Sequence, residues 1–200
     1  MRTLLFLLLF TTPCFASDLS ETTLLARWAH LETRNNGAND SYGTLVRLER
    51  PLWREFCGAI EIDYHARQHF PATEDVKGSW GSLYGYGAMA NLIFRPEVTE
   101  KISPYLLAGA GYYWWNFKEN PHLQDHMVTV SVYPSIAYKV AAGVDYKLSE
   151  RWSVNLEVSY FDTKIKKEAI DNTGTEWHIL GDDVIGNEQI QIGVGMRYRF

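Results

Sequence analysis

The sequence predicts an all-β fold: an eight-stranded, antiparallel, up-and-down transmembrane β-barrel. Three observations carry this. Apolar residues recur at every second position along most of the chain, the mark of strands with one apolar face. No apolar run approaches the roughly 20 residues of a membrane helix, which excludes a helical span and leaves a barrel open. Short and long polar links alternate between the strand-like segments, as periplasmic turns and outer loops do in outer-membrane barrels.

Composition sets the outer bounds. The chain has 200 residues, enough for one domain, and its 46% hydrophobic and 14% aromatic content excludes a disordered chain. The net charge of -5 lacks the basic excess of a nucleic-acid binder, so no nucleic acid is expected as a partner. The mean hydropathy of -0.23 suits alternating barrel strands and a soluble protein alike.

Residues 1–16 read as a secretory signal. Met1-Arg2 is a short positive start, Leu4 to Phe10 is apolar, Pro13 breaks the run, and Ala16 is a small residue suited to cleavage. Cleavage after Ala16 or Ser17 removes Cys14 and leaves Cys57 alone, so no internal disulfide can form. The barrel domain is then 17–200, exported to the outer membrane of a Gram-negative cell.

The strands follow in order. Less regular segments at about 22–32 and 43–50 come first. At 56–65, Ile60, Ile62 and Tyr64 alternate with Glu61, Asp63 and His65. Tyr84, Tyr86, Ala88, Ala90, Leu92 and Phe94 mark the fourth strand, and 103–117, apolar on both faces, the fifth. At 138–148, Tyr138, Val140, Ala142, Val144 and Tyr146 alternate with Lys139, Gly143 and Asp145. Trp152 to Tyr160 alternates with Asn155, Glu157 and Ser159. In the last strand Ile192, Val194, Met196 and Tyr198 alternate with Gly193, Gly195 and Arg197, up to Phe200. Short links fall at 51–55, 95–102 and 149–151; long ones at 33–42, 66–79, 118–135 and 162–187.

Aromatic residues and charge assign the faces. One lipid–water girdle is expected at Phe56, Phe94, Tyr105, Tyr146, Trp152, Tyr198 and Phe200, the other at Tyr64, Tyr84, Trp115, Tyr138 and Tyr160. Ten charged residues lie opposite the apolar face: Arg27, Arg47, Glu49, Glu61, Asp63, Lys139, Asp145, Glu157, Arg197 and Arg199. A basic group at the bilayer midplane costs about 2–4 kcal/mol, whereas opposite charges inside a narrow barrel can pair.

The second half resembles OmpW-type proteins and, more broadly, the small eight-stranded outer-membrane barrels. Ser103-Pro104-Tyr105-Leu106-Leu107-Ala108-Gly109-Ala110-Gly111-Tyr112 resembles one of their strands. The hairpin from Ala142 to Trp152 and the ending from Ile192 to Phe200 are similar to theirs. The resemblance implies an apolar interior channel for small hydrophobic compounds. Either parity of the fifth strand gives an apolar wall. One option uses Leu106, Ala108, Ala110, Tyr112 and Trp114, facing Leu83, Gly85, Gly87 and Met89, with the glycines leaving room. The candidate ligand-binding residues are therefore Leu83, Gly87, Met89, Leu106, Tyr112 and Trp114. A packed, ligand-free interior is the alternative.

Other chemistries are weaker. His122 and His126 flank Asp125 in a link after Pro121 with no third ligand fixed nearby, so no metal and no cofactor are expected. No histidine has serine two places on, the pair a lipid-deacylating barrel would use, so no enzyme is expected; Glu157 and Ser159 share a face without one, and a lipid A-modifying enzyme with a partner from another strand is the remaining alternative. A third reading is a structural or adhesive barrel with a closed lumen. Its loop lysines Lys164, Lys166 and Lys167 would meet lipopolysaccharide phosphates, and the acids Asp171, Glu176, Asp182 and Asp183 would face solvent. Phe200, an aromatic final residue on an alternating strand, is the expected contact for the barrel insertion machinery.

Overall fold

A computed structural model describes residues 22–34, 40–70, 81–96, 98–119, 128–171 and 178–200. The signal segment, its cleavage site, and His122, Asp125 and His126 lie outside the described residues, as do the side chains of Asp171, Glu176, Asp182 and Asp183.

Nine strands form one antiparallel sheet: β1 (Thr23–Thr33), β2 (Ser41–Trp53), β3 (Phe56–Phe70), β4 (Gly81–Phe94), β5 (Ile102–Glu119), β6 (Val128–Val132), β7 (Ser135–Lys147), β8 (Trp152–Asp171) and β9 (His178–Arg199). The sheet closes because β1 pairs with both β2 and β9, from Thr23↔Arg199 to Thr33↔Gln189. The closed ring has eight staves, as the alternation predicts. The sixth comes in two pieces: β7 pairs with β5 and β8, while β6 pairs with the far end of β8. Between them stands Pro134, which has no N–H for the ladder.

Two of the long links differ from the sequence expectation. Most of 162–187 is strand, since β8 and β9 run for 20 and 22 residues and stay paired up to Asp171↔His178. The sixth stave also starts earlier, at Ser135, with β6 before it. Polar side chains hid the extension of β8 and β9, because a strand leaving the bilayer no longer needs an apolar face. In β6, Val128, Val130 and Val132 do alternate with Thr129 and Ser131, but Pro134 cuts that run off from β7. Outward residues of β8 are apolar from Trp152 to Tyr160 and then become Asp162, Lys164 and Lys166. That apolar stretch matches the roughly 9–11 residues of a tilted spanning strand.

Parity sorts the side chains. Val46, Leu48, Ile60, Ile62, Leu92, Val140, Leu156, Val158, Ile192 and Val194 are exposed on the outer wall. Arg27, Arg47, Glu61, Lys139 and Glu157 are buried inside. Most of the expected girdle aromatics are outward, but Tyr105 and Trp115 are not. They are 2% and 4% exposed and point inward. On β5 the expected apolar wall is reversed in the same way, so Leu106, Tyr112 and Trp114 face outward at 58%, 45% and 39% exposure. Both faces of β5 are apolar, so its own pattern could not choose. The neighbours choose: Glu61 and Lys139 must be inward, and the registers β3–β4–β5 and β5–β7 then fix β5.

Candidate functional site: the filled lumen and its two ends

The side chains inside the barrel form layers. At the end with the short turns, the Glu49 carboxylate accepts from Arg197 Nη2 at 2.9 Å and Arg95 Nη2 at 3.0 Å. Asp145 lies 3.4 Å from Arg95 and 3.3 Å from Arg197, and accepts from Asn155 Nδ2 at 2.7 Å. Arg95 comes from the β4–β5 turn, so strand periodicity could not find it. It takes the interior place expected for Arg199, which is exposed at the rim.

The next layer sits near mid-barrel. Arg47 holds Glu61 Oε2 through Nε and Nη2, both at 2.6 Å, and reaches Glu157 Oε2 at 2.9 Å. Lys139 Nζ donates to Glu61 Oε1 at 2.6 Å and lies 3.7 Å from Glu157. Arg27 pairs with the same Glu157. Five staves, β1, β2, β3, β7 and β8, thus meet at one cluster. Tyr105 ties the two layers: its hydroxyl donates to Glu157 Oε2 at 2.7 Å and accepts from Asn155 at 2.9 Å. Its ring lies 5.2 Å and 5.9 Å from the Arg95 and Arg197 guanidinium carbons. Buried charges are tolerated only when paired and hydrogen-bonded in this manner.

Toward the loop end the filling divides. One wall is apolar, with Leu83, Met89, Tyr113, Trp115, Phe161 and Ile165 all buried. The imidazole of His65 sits among the rings of Tyr113, Trp115 and Phe161, at 5.4, 5.7 and 4.9 Å. The Tyr113 hydroxyl donates to Asp63. The opposite wall carries an amide ladder, in which Ser159 donates to Gln191, Gln191 to Gln189 and Gln189 to Asn187.

The expected ligand residues therefore separate. Leu83, Gly87 and Met89 are on the inner face; Leu106, Tyr112 and Trp114 are on the outer one and line no lumen. Nor do the glycines leave space. A Cβ on Gly85 would lie 2.5 Å from Trp115 and one on Gly87 2.6 Å from Tyr113. Each glycine is the seat of an aromatic ring from β5. The Glu157 and Ser159 pair is likewise engaged, by the cation cluster and by Gln191. Among the described residues no group of three or more His, Cys, Asp or Glu side chains is placed to hold a metal.

A closed antiparallel barrel with an apolar outer band and a charged, paired interior defines the class of integral outer-membrane β-barrel proteins. The family model described as outer membrane protein beta-barrel domain matches residues 3–200. The chain belongs to that family. No curated protein matches it. Among solved structures, OprG from Pseudomonas aeruginosa superposes with a TM-score of 0.73 at 13% identity, covering 90% of this chain and 96% of its own. Neisserial surface protein A gives 0.64 at 14% identity, covering 90% and 98%. Escherichia coli outer membrane protein W gives 0.58 at 18% identity, covering 90% and 98%. At these identities the likeness is one of fold.

Proposed function

We propose that this chain is an outer-membrane barrel with a closed lumen, acting as a structural or binding protein from its loop end and not as an open pore or an enzyme. The observation that supports it is the mid-barrel cluster, where Lys139 on β7 reaches across to Glu61 on β3 while Arg27 and Arg47 converge on Glu157. Water or solute passing down the axis would have to part these pairs, and each separated charge would be left uncompensated. In this reading residues 1–16 direct export. Lys164 and Lys166, outward above the apolar band, meet lipopolysaccharide phosphates. Planar-bilayer recording tests it. The wild-type barrel should show no steady conductance; a steady ohmic conductance would reject a closed lumen.

A second reading has one observation in its favour. The apolar wall of Leu83, Met89, Tyr113, Trp115 and Phe161 lies between the ionic cluster and the loop end. A small hydrophobic molecule could be held there, where each Å² of apolar burial contributes about 25 cal/mol, if the rings gave way. Trp115, within that wall, is the reporter. An alkyl ligand should change wild-type tryptophan emission and leave Trp115→Phe silent; the same response in both removes this reading.

A further inference from the structure

We propose that the basin at the turn end of the barrel binds a phosphate group carried on a hydroxyl-bearing body. The basin is open to solvent and has a volume of about 650 Å³, within the range of small-ligand sites. Its floor is Arg95 and Arg197, already bridged by Glu49 and Asp145. Their pairing is incomplete. Arg95 Nε has no acceptor, and Arg197 Nε, though 3.3 Å from Asp145, does not make a hydrogen bond to it. Thr23 Oγ1, on the same basin, is also without a partner. Unpartnered buried polar atoms also occur deeper in the lumen, on Arg27, Arg47 and Asn91 among others, so what marks the basin for an occupant is its volume and its charge.

The charges name its chemistry. Lys147, Arg151 and Arg199 line the basin above the floor, opposed by Glu100 and Glu150. With Asp145 included, the lining has five cations against three anions. Guanidinium groups match phosphate oxygens in geometry as well as charge. The carboxylates favour one phosphate over a polyanion and can accept from ligand hydroxyls, while Ser103 and Ser153 supply hydroxyls of their own. Arg151 precedes Trp152 and Arg199 follows Tyr198 on the outer wall, which brings the rim to the lipid headgroups. The phosphate can therefore come from a phospholipid such as phosphatidylglycerol or from a soluble polyol phosphate.

The test has two arms on the refolded full barrel, read by the ¹⁵N shifts of the arginine Nε groups. One titrates glycerol 3-phosphate, with glycerol as the uncharged control, into protein in a phosphate-free neutral detergent. The other compares phosphatidylcholine nanodiscs with and without phosphatidylglycerol. Saturable shifts of Arg95 and Arg197 are expected in at least one arm, and the responding arm identifies the source. Arg151→Gln with Arg199→Gln should weaken binding about tenfold, while Lys166→Gln, at the other end, should not change it. Should the double variant fail to refold, Arg199→Gln alone carries the comparison, with a smaller loss in the same direction. The absence of saturable shifts in both arms, or equal binding by wild type and the rim variants, overturns the site.

Discussion

A Cβ on Gly87 would lie 2.6 Å from Cδ1 of Tyr113, across the β4–β5 pair. The ring occupies the volume that a side chain at 87 would need, and its hydroxyl is anchored by Asp63. Gly87→Ala should therefore destabilise the barrel by about 1–3 kcal/mol through overpacking. Gly186→Ala, where a Cβ meets nothing within 4 Å, is the matched control. Urea unfolding in lipid vesicles measures both. Equal stability of the two variants would count against the ring-seat account.

The mid-barrel charges should behave as a unit. Glu157→Ala takes from Arg27 the carboxylate it pairs with, while Arg47 keeps Glu61, and should cost about 3–5 kcal/mol. A double-mutant cycle of Glu61→Gln and Lys139→Met should return a coupling of about 0.5–3 kcal/mol. Additive effects would mean that the 2.6 Å contact contributes little. Glu157→Ala should also admit a small ionic current where wild type shows none, because part of the cross-lumen barrier is gone.

Face assignment is open to direct chemical test. In a Cys57→Ala background, a lipid-soluble thiol reagent should label cysteine placed at Val194 or Leu106, both exposed on the wall. It should spare the same substitution at Arg197 or Leu107, both buried inside. Labelling at 107 with none at 106 would reverse β5 and return Leu106, Tyr112 and Trp114 to the lumen.

Phe200 lies outside the β9 ladder, although its N–H donates to Thr22 at 3.1 Å. Its ring is half exposed, 5.2 Å from Tyr198. Deleting it should change unfolding free energy by less than about 1 kcal/mol, since little apolar surface is buried there. The amount of barrel inserted in cells should fall several-fold if Phe200 meets the insertion machinery. Normal insertion of the deletion would remove that partner.

The sequence by itself determined the class of fold and most of the facing. A period of two is a local property, and in β8 or β9 a charged residue opposite an apolar one leaves a single choice of face. Eight staves, antiparallel closure and the inward setting of Arg27, Arg47, Glu61, Lys139 and Glu157 were legible for that reason. Only the tertiary structure decided β5, whose two faces are both apolar, and so only it placed Tyr105, Tyr113 and Trp115 inside. It alone brought Arg95 from a turn into the ionic floor, since no periodicity governs a turn. It also decided that Gly85 and Gly87 are seats and not space. A glycine in a strand is compatible with both readings, and which one holds depends on the side chain that the neighbouring strand, fixed by long-range register, puts against it.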